Sequence, residues 1–147
     1  MSQTAEQDPF ELQRFVAAQA EVYPAVLREL QTGQKRSHWM WFIFPQVDGL
    51  GMSETTHFYA IKSRAEALAY LKHPLLGVRL RECVTILLSS RNRSAHEIFG
   101  SPDDRKLQSC LTLFARVADD NSLFKQALEV FYESRPDART LDILDQW

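Results

Sequence analysis

Between positions 35 and 59 the chain reads KRSHWMWFIFPQVDGLGMSETTHFY, and the residue types in it suit a ligand that is flat, polar and charged. Indole rings at Trp39 and Trp41 can stack on a planar group, His38 and Gln46 can supply directional hydrogen bonds, and Lys35 can meet an anion. Gly49 and Gly51 bracket Leu50, and a backbone without Cβ lets N–H groups come close to a phosphate. Ser53 and Tyr59 follow at a spacing that lets both face this loop if Ser53 caps a short helix. Further along, Lys106 and Ser109 lie one turn apart on one helical face and are candidates for a phosphate contact.

No fixed chemistry attaches to this pattern. The glycines lack the Gly-x-Gly-x-x-Gly spacing of a dinucleotide fold, and there is no Gly-x-x-x-x-Gly-Lys-Ser loop and no Gly-x-Ser-x-Gly elbow. The four histidines and two cysteines nowhere take metal-ligand spacing, so no metal and no cofactor is expected. His57, His73 and His96 read as structural or exposed, which leaves His38 to donate or relay a proton.

The elements that must hold these groups are helical. Ser37 can cap a turn over residues 38–44 that Pro45 stops. That turn is apolar almost all round and must be surrounded by protein, so Trp39, Met40, Phe42 and Ile43 read as core while His38 and Gln46 face a pocket. Asp8-Pro9 starts a first helix, Pro24 interrupts it, and Gly33 ends the next. Ser63-Arg-Ala-Glu66 and Ser94-Ala-His-Glu97 have capping-box spacing. Leu76, Leu80, Cys83, Val84 and Leu87 form a helical stripe over residues 75–90, and Leu107, Cys110, Leu111, Phe114 and Val117 form another over 102–118. Helices after Asn121 and after Pro136 complete an all-α, compact single-domain array of about seven or eight short helices, residues 9–147, behind a flexible N-terminus of residues 1–8.

Composition sets the outer limits. The chain has 147 residues, 45% hydrophobic and 24% charged, with a formal net charge of -2, which suits one buried core and does not indicate a nucleic-acid partner. The longest apolar run is far shorter than the ~20 residues a membrane helix needs. Two cysteines on apolar stripes and an N-terminus without a secretory pattern point to buried thiols in a cytoplasmic monomer.

The stretches KRSHWMWFIFPQVDGLGMSETTHFYAI, EALAYLKHPLLGVRLREC and IFGSPDDRKLQSCLTLFA closely resemble the bacterial domain-of-unknown-function family eighteen-ten, whose members are often mislabelled calpastatin and which is related to an all-helical mycobacterial protein. The resemblance implies an all-α fold and no established activity; calpastatin-type inhibitors are disordered, and this composition is not. The segment from KLQSCLTLFA to RTLDIL is distantly similar to the C-terminal part of the NADAR family, some of whose members cleave N-glycosidic bonds. This second resemblance implies an ADP-ribose-like ligand and N-glycosidic hydrolase chemistry. Such chemistry needs a carboxylate beside an oxocarbenium-like sugar and a donor to the leaving base. Asp48 and Glu54 beside the glycine loop then become the carboxylate candidates, with His38 as the donor. Asp103 and Asp104 fall in a first helical turn, where acids favour the positive dipole end without further role. The sequence leaves open a second class, a non-catalytic protein-interaction domain that uses the same aromatics.

Overall fold

The computed structural model describes residues 8–147, which form ten helices and no strand. In chain order they are α1 (Gln13–Gln19), α2 (Tyr23–Thr32), α3 (Met40–Ile43), α4 (Glu54–Tyr59), α5 (Arg64–Lys72), α6 (Leu76–Leu88), α7 (Ala95–Phe99), α8 (Asp103–Val117), α9 (Ser122–Tyr132) and α10 (Ala138–Leu144). The expected number of about seven or eight is therefore too low. The difference lies in the shortest elements: the turn expected within 38–44 and the short helix after Ser53 stand as helices of their own, α3 and α4. The expectation of a flexible start falls mainly on residues 1–7, outside the described part.

α6 and α8 are the central elements, as their stripes require. Leu80, Cys83, Val84 and Leu87 from the first, and Leu107, Cys110, Leu111 and Phe114 from the second, are all buried. A line of rings runs through this centre: Phe15 to Tyr70 at 5.1 Å, Tyr70 to Phe114 at 5.6 Å, and Phe114 to Phe124 at 5.8 Å. It ties α1, α5, α8 and α9 into one core, with separations in the range where aromatic pairs attract. Cys83 and Cys110 are free thiols. Burial pushes the Cys83 thiol up to about 12 and that of Cys110 well above its ordinary value. Native protein at pH 8 is expected to react with Ellman's reagent at least tenfold more slowly than unfolded protein, and equal rates would contradict this burial.

The helix ends follow local chemistry, with two departures from the sequence expectation. Ser94 and Glu97 close a full capping box at α7. At α5 only half forms: Ser63 accepts from the Glu66 N–H, but the Glu66 carboxylate turns inward to Lys62 N and to Arg14 Nη2 at 2.6 Å. The other departure concerns Asp8, whose carboxylate accepts from Leu12 N and Gln13 N, so that α1 starts four residues later than a cap at Asp8 suggests.

Ahead of α6, two residues before its N-cap Leu75, a histidine takes up free amides. His73 Nδ1 accepts from Leu75 N and Leu76 N, both at 3.1 Å, which requires an unprotonated Nδ1. Burial lowers the His73 pKa, against a smaller opposing effect of Asp8. A histidine depressed in the folded state stabilises fully above its unfolded value of about 6.5, and that stabilisation is lost as pH falls through the folded value. The melting temperature is expected to fall between pH 7 and pH 5 by more in the native protein than in His73→Ala.

Candidate functional site

The segment between α2 and α3 is organised by one carboxylate. Glu29 Oε1 accepts from Arg36 N (2.7 Å), Ser37 N (3.0 Å) and Trp39 Nε1 (3.0 Å), and Oε2 accepts from Ser37 Oγ (2.6 Å). Burial alone would raise this carboxyl, yet the four donors outweigh it and hold Glu29 down at about 2. Ser37 is thus committed to Glu29 and does not cap the following helix, contrary to the sequence expectation. α3 begins at Met40 with no side-chain cap. His38 projects from this loop as an exposed residue.

α3 carries the aromatic run into the core. Trp39 is 1% exposed, with Phe44 and Phe99 against its ring at 6.1 and 6.3 Å. Met40, Phe42, Ile43 and Phe44 are buried with it, while Trp41 is half-buried. Gln19 Nε2 donates to the Phe42 carbonyl at 2.7 Å, which supplies a partner inside an otherwise apolar site.

After Pro45 the chain leaves the core and returns. Val47 and Ile61 pair through Ile61 N to Gln46 O and Asp48 N to Ile61 O, both at 2.8 Å, and close a lobe that contains the glycine loop and α4. Gly49 has φ +107°, a conformation L side chains rarely adopt. A Cβ on Gly51 would stand 2.5 Å from Thr56 Cγ2, and Thr56 is itself fixed by a 2.7 Å hydrogen bond from Ser53 Oγ. Ser53 caps α4 as expected, accepting from Thr56 N, and Glu54 is exposed in its first turn. Tyr59 points away from the loop, packing on Phe42 (5.4 Å) and Phe15 (5.8 Å). Asp48 Oδ1 meets His57 Nδ1 at 3.0 Å.

The foot of α8 meets this lobe. Lys35, whose side chain is 7% exposed, places Nζ 2.9 Å from Asp103 Oδ2 and 5.0 Å from the Trp39 ring centroid. Lys106 Nζ lies 3.7 Å from Asp103 Oδ1 and 4.8 Å from the Trp41 centroid. One carboxylate therefore holds two lysines, each over an indole face, an arrangement that fixes long side chains that would otherwise be mobile. Beside it is a cleft of about 260 Å³ walled by Gln46, Leu50, Gly51 and Thr56 from the lobe, by Pro102, Arg105, Lys106 and Ser109 from α8 and its approach, and by Asp137 and Arg139 at α10. Asp137 is occupied as the cap of α10, its Oδ2 accepting from Thr140 N and Thr140 Oγ1. Among the described residues Arg105 and Arg139 have no carboxylate partner.

Of the residues singled out in the sequence, Gln46, Gly51, Lys106 and Ser109 share this cleft, and Trp41 and Lys35 stand behind it through Lys106 and Asp103. His38, Trp39, Asp48, Gly49, Ser53, Glu54 and Tyr59 are not on its wall. Three participants carried no such expectation. Arg105 and Arg139 are ordinary helix-start residues in the sequence and meet only because α10 packs on α8. Asp103 stands in a first helical turn, where the dipole alone accounts for an acid, and only the fold brings Lys35 to it from 68 residues away.

An all-helical domain with a cation-walled cleft at the foot of its central helix is the class that fold and site define. The chain belongs to the family described as "Protein of unknown function (DUF1810)", whose model matches residues 9–144. It is similar to the conserved hypothetical protein Rv1873 from Mycobacterium tuberculosis, whose crystal structure superposes with a TM-score of 0.92 at 52% identity, covering 93% of this chain and 98% of that one. No curated protein matches the sequence. No helix among the described residues is long and apolar enough to cross a membrane.

Proposed function

We propose that the protein binds a nucleotide-like or ADP-ribose-like small molecule through its phosphate groups, in the cleft between the glycine-loop lobe and the foot of α8. The observation that carries this reading is the wall of three cations, Arg105, Lys106 and Arg139, two of them without a carboxylate partner among the described residues. Thr56 and Gln46 add polar groups on the opposite wall, and Leu50 and Pro102 offer apolar surface to a ring. Charge-assisted and bidentate contacts from arginine suit phosphate oxygens.

Binding is better supported than cleavage. N-glycosidic hydrolysis needs a carboxylate at the sugar, but the one carboxylate on this wall, Asp137, already accepts from Thr140. Of the earlier candidates, Asp48 is paired with His57 and Glu54 lies outside the wall. A protein-interaction role draws on a different observation, the exposed Met52 and Phe58 of the lobe.

The test is calorimetric titration with AMP and ADP-ribose, alongside melting curves. A ligand at 100 times its Kd stabilises the folded state by about 2.7 kcal/mol. Arg105→Ala and Arg139→Ala are each expected to weaken binding about tenfold at nearly unchanged melting temperature, with affinity falling as salt rises. Gly51→Ala should weaken binding too, since its Cβ displaces Thr56 from the wall. If neither nucleotide binds, or if both arginine variants bind as the native protein does, the reading is wrong.

A further inference from the structure

We propose a second ligand site, for a small aromatic or aliphatic amine, in the cleft between the start of α1 and the far face of α4. This cleft has a volume of about 420 Å³, and its wall includes Phe10, Glu11, His57 and Phe58. It is separate from the cationic cleft: α4 divides the two, with Thr56 on one side and His57 and Phe58 on the other.

Its two walls are held at a fixed separation by one guanidinium. Arg14 donates from Nη1 to the carbonyls of Phe10 (2.6 Å) and Glu11 (3.0 Å), from Nε to the carbonyl of Phe58 (2.8 Å), and from Nη2 to Ala60 O (3.1 Å) and Glu66 Oε2 (2.6 Å). A cleft braced in this way is organised before a ligand arrives, which lowers the ordering cost of binding.

The polar groups left over select the ligand. Arg14 has all five N–H donors engaged, and Lys62 Nζ directs two of its three donors to His57 O (2.9 Å) and Ala60 O (3.2 Å). Glu66 is buried against Arg14. What remains is the Glu11 carboxylate, which has no cationic partner among the described residues and sits on a backbone at φ +54°, and the ring of His57, 67% exposed and oriented by Asp48 at Nδ1. Phe58 is 54% exposed and presents its ring to solvent beside them. A carboxylate in a cleft also lined by aromatic rings fits a positively charged amine on an apolar body, the ammonium meeting Glu11 and the body lying on Phe10 and Phe58.

The test uses the full chain and two probes of equal size and opposite charge, phenethylamine and phenylacetate, followed by amide and histidine-ring NMR. Phenethylamine is expected to shift resonances of residues 10–14 and 57–62 and the His57 ring at millimolar concentration, while leaving Arg105 and Arg139 unmoved. Phenylacetate at the same concentration should leave that cleft unshifted. Glu11→Gln should weaken phenethylamine binding about tenfold, and Phe58→Ala comparably, with AMP titrations unchanged in both variants. Absence of phenethylamine shifts in this cleft, equal response to the two probes, or full retention of binding in Glu11→Gln overturns the proposal.

Discussion

Trp39→Ala is expected to destabilise the protein by about 3–5 kcal/mol, the range for deleting a large buried aromatic side chain. The indole is almost wholly buried, packs on Phe44 and Phe99, carries Lys35 over one face and donates to Glu29. Urea unfolding should show the loss as a lower midpoint at unchanged slope. Trp39→Phe keeps most of the apolar contact and loses the indole donor to a charged acceptor, an effect of about 1.5–3 kcal/mol. His38→Ala, one residue away but exposed, should stay within about 0.5 kcal/mol of the native protein. Were Trp39→Ala to cost less than His38→Ala, the aromatic turn would not be core.

Glu29→Ala should have the next largest effect, because it frees four donors at once: the N–H groups of Arg36 and Ser37, the Ser37 hydroxyl and the Trp39 indole. Hydrogen bonds to a charged group contribute about 1.5–3 kcal/mol each, but the exposed donors can turn to water, so a total of about 2–4 kcal/mol is expected. The pH dependence identifies the cause. With the carboxyl held at about 2 in the folded state against 4.5 ordinarily, its stabilisation is fully present above about pH 4.5 and is lost as pH falls toward 2. Stability curves between pH 6 and pH 3 should therefore be steeper for the native protein than for Glu29→Gln. Parallel curves would show that Glu29 does not hold the loop as a carboxylate.

The helices were legible where a stripe ran long enough to repeat. The spacing of Leu80, Cys83, Val84 and Leu87 fixes the buried face of α6, and Ser94 with Glu97 fixes the start of α7. Where a side chain had a choice of partners, local pattern misled. Ser37 precedes an apolar turn as a cap would, yet Glu29 from the previous helix takes it; Glu66 stands where a capping box needs it, yet Arg14 takes it. Tertiary partners outcompete local ones here because a charge can meet several donors at once. The same reason governs the candidate site. Lys106 and Ser109 could be paired by helical spacing alone, whereas the association of Arg105 with Arg139, and of Asp103 with Lys35, is a product of how distant elements pack, and no local pattern in the sequence records it. Tyr59 shows the opposite error: its proximity to the glycine loop along the chain conceals a side chain turned to Phe15 and Phe42.

The pairing of Val47 with Ile61 makes residues 47–61 an Ω-loop, a surface excursion whose ends meet. The excursion contains α4 and leaves nine of the ten described helices as the frame around α6 and α8, and amide exchange at its exposed residues, such as Met52 and Glu54, should follow a smaller opening free energy than exchange in α8. Both clefts take one wall from this excursion and the other from the frame. Ligand preference can therefore diverge among chains of this fold by replacing the exposed residues of this excursion, while Val47, Tyr59, Ala60 and Ile61 hold it to the core.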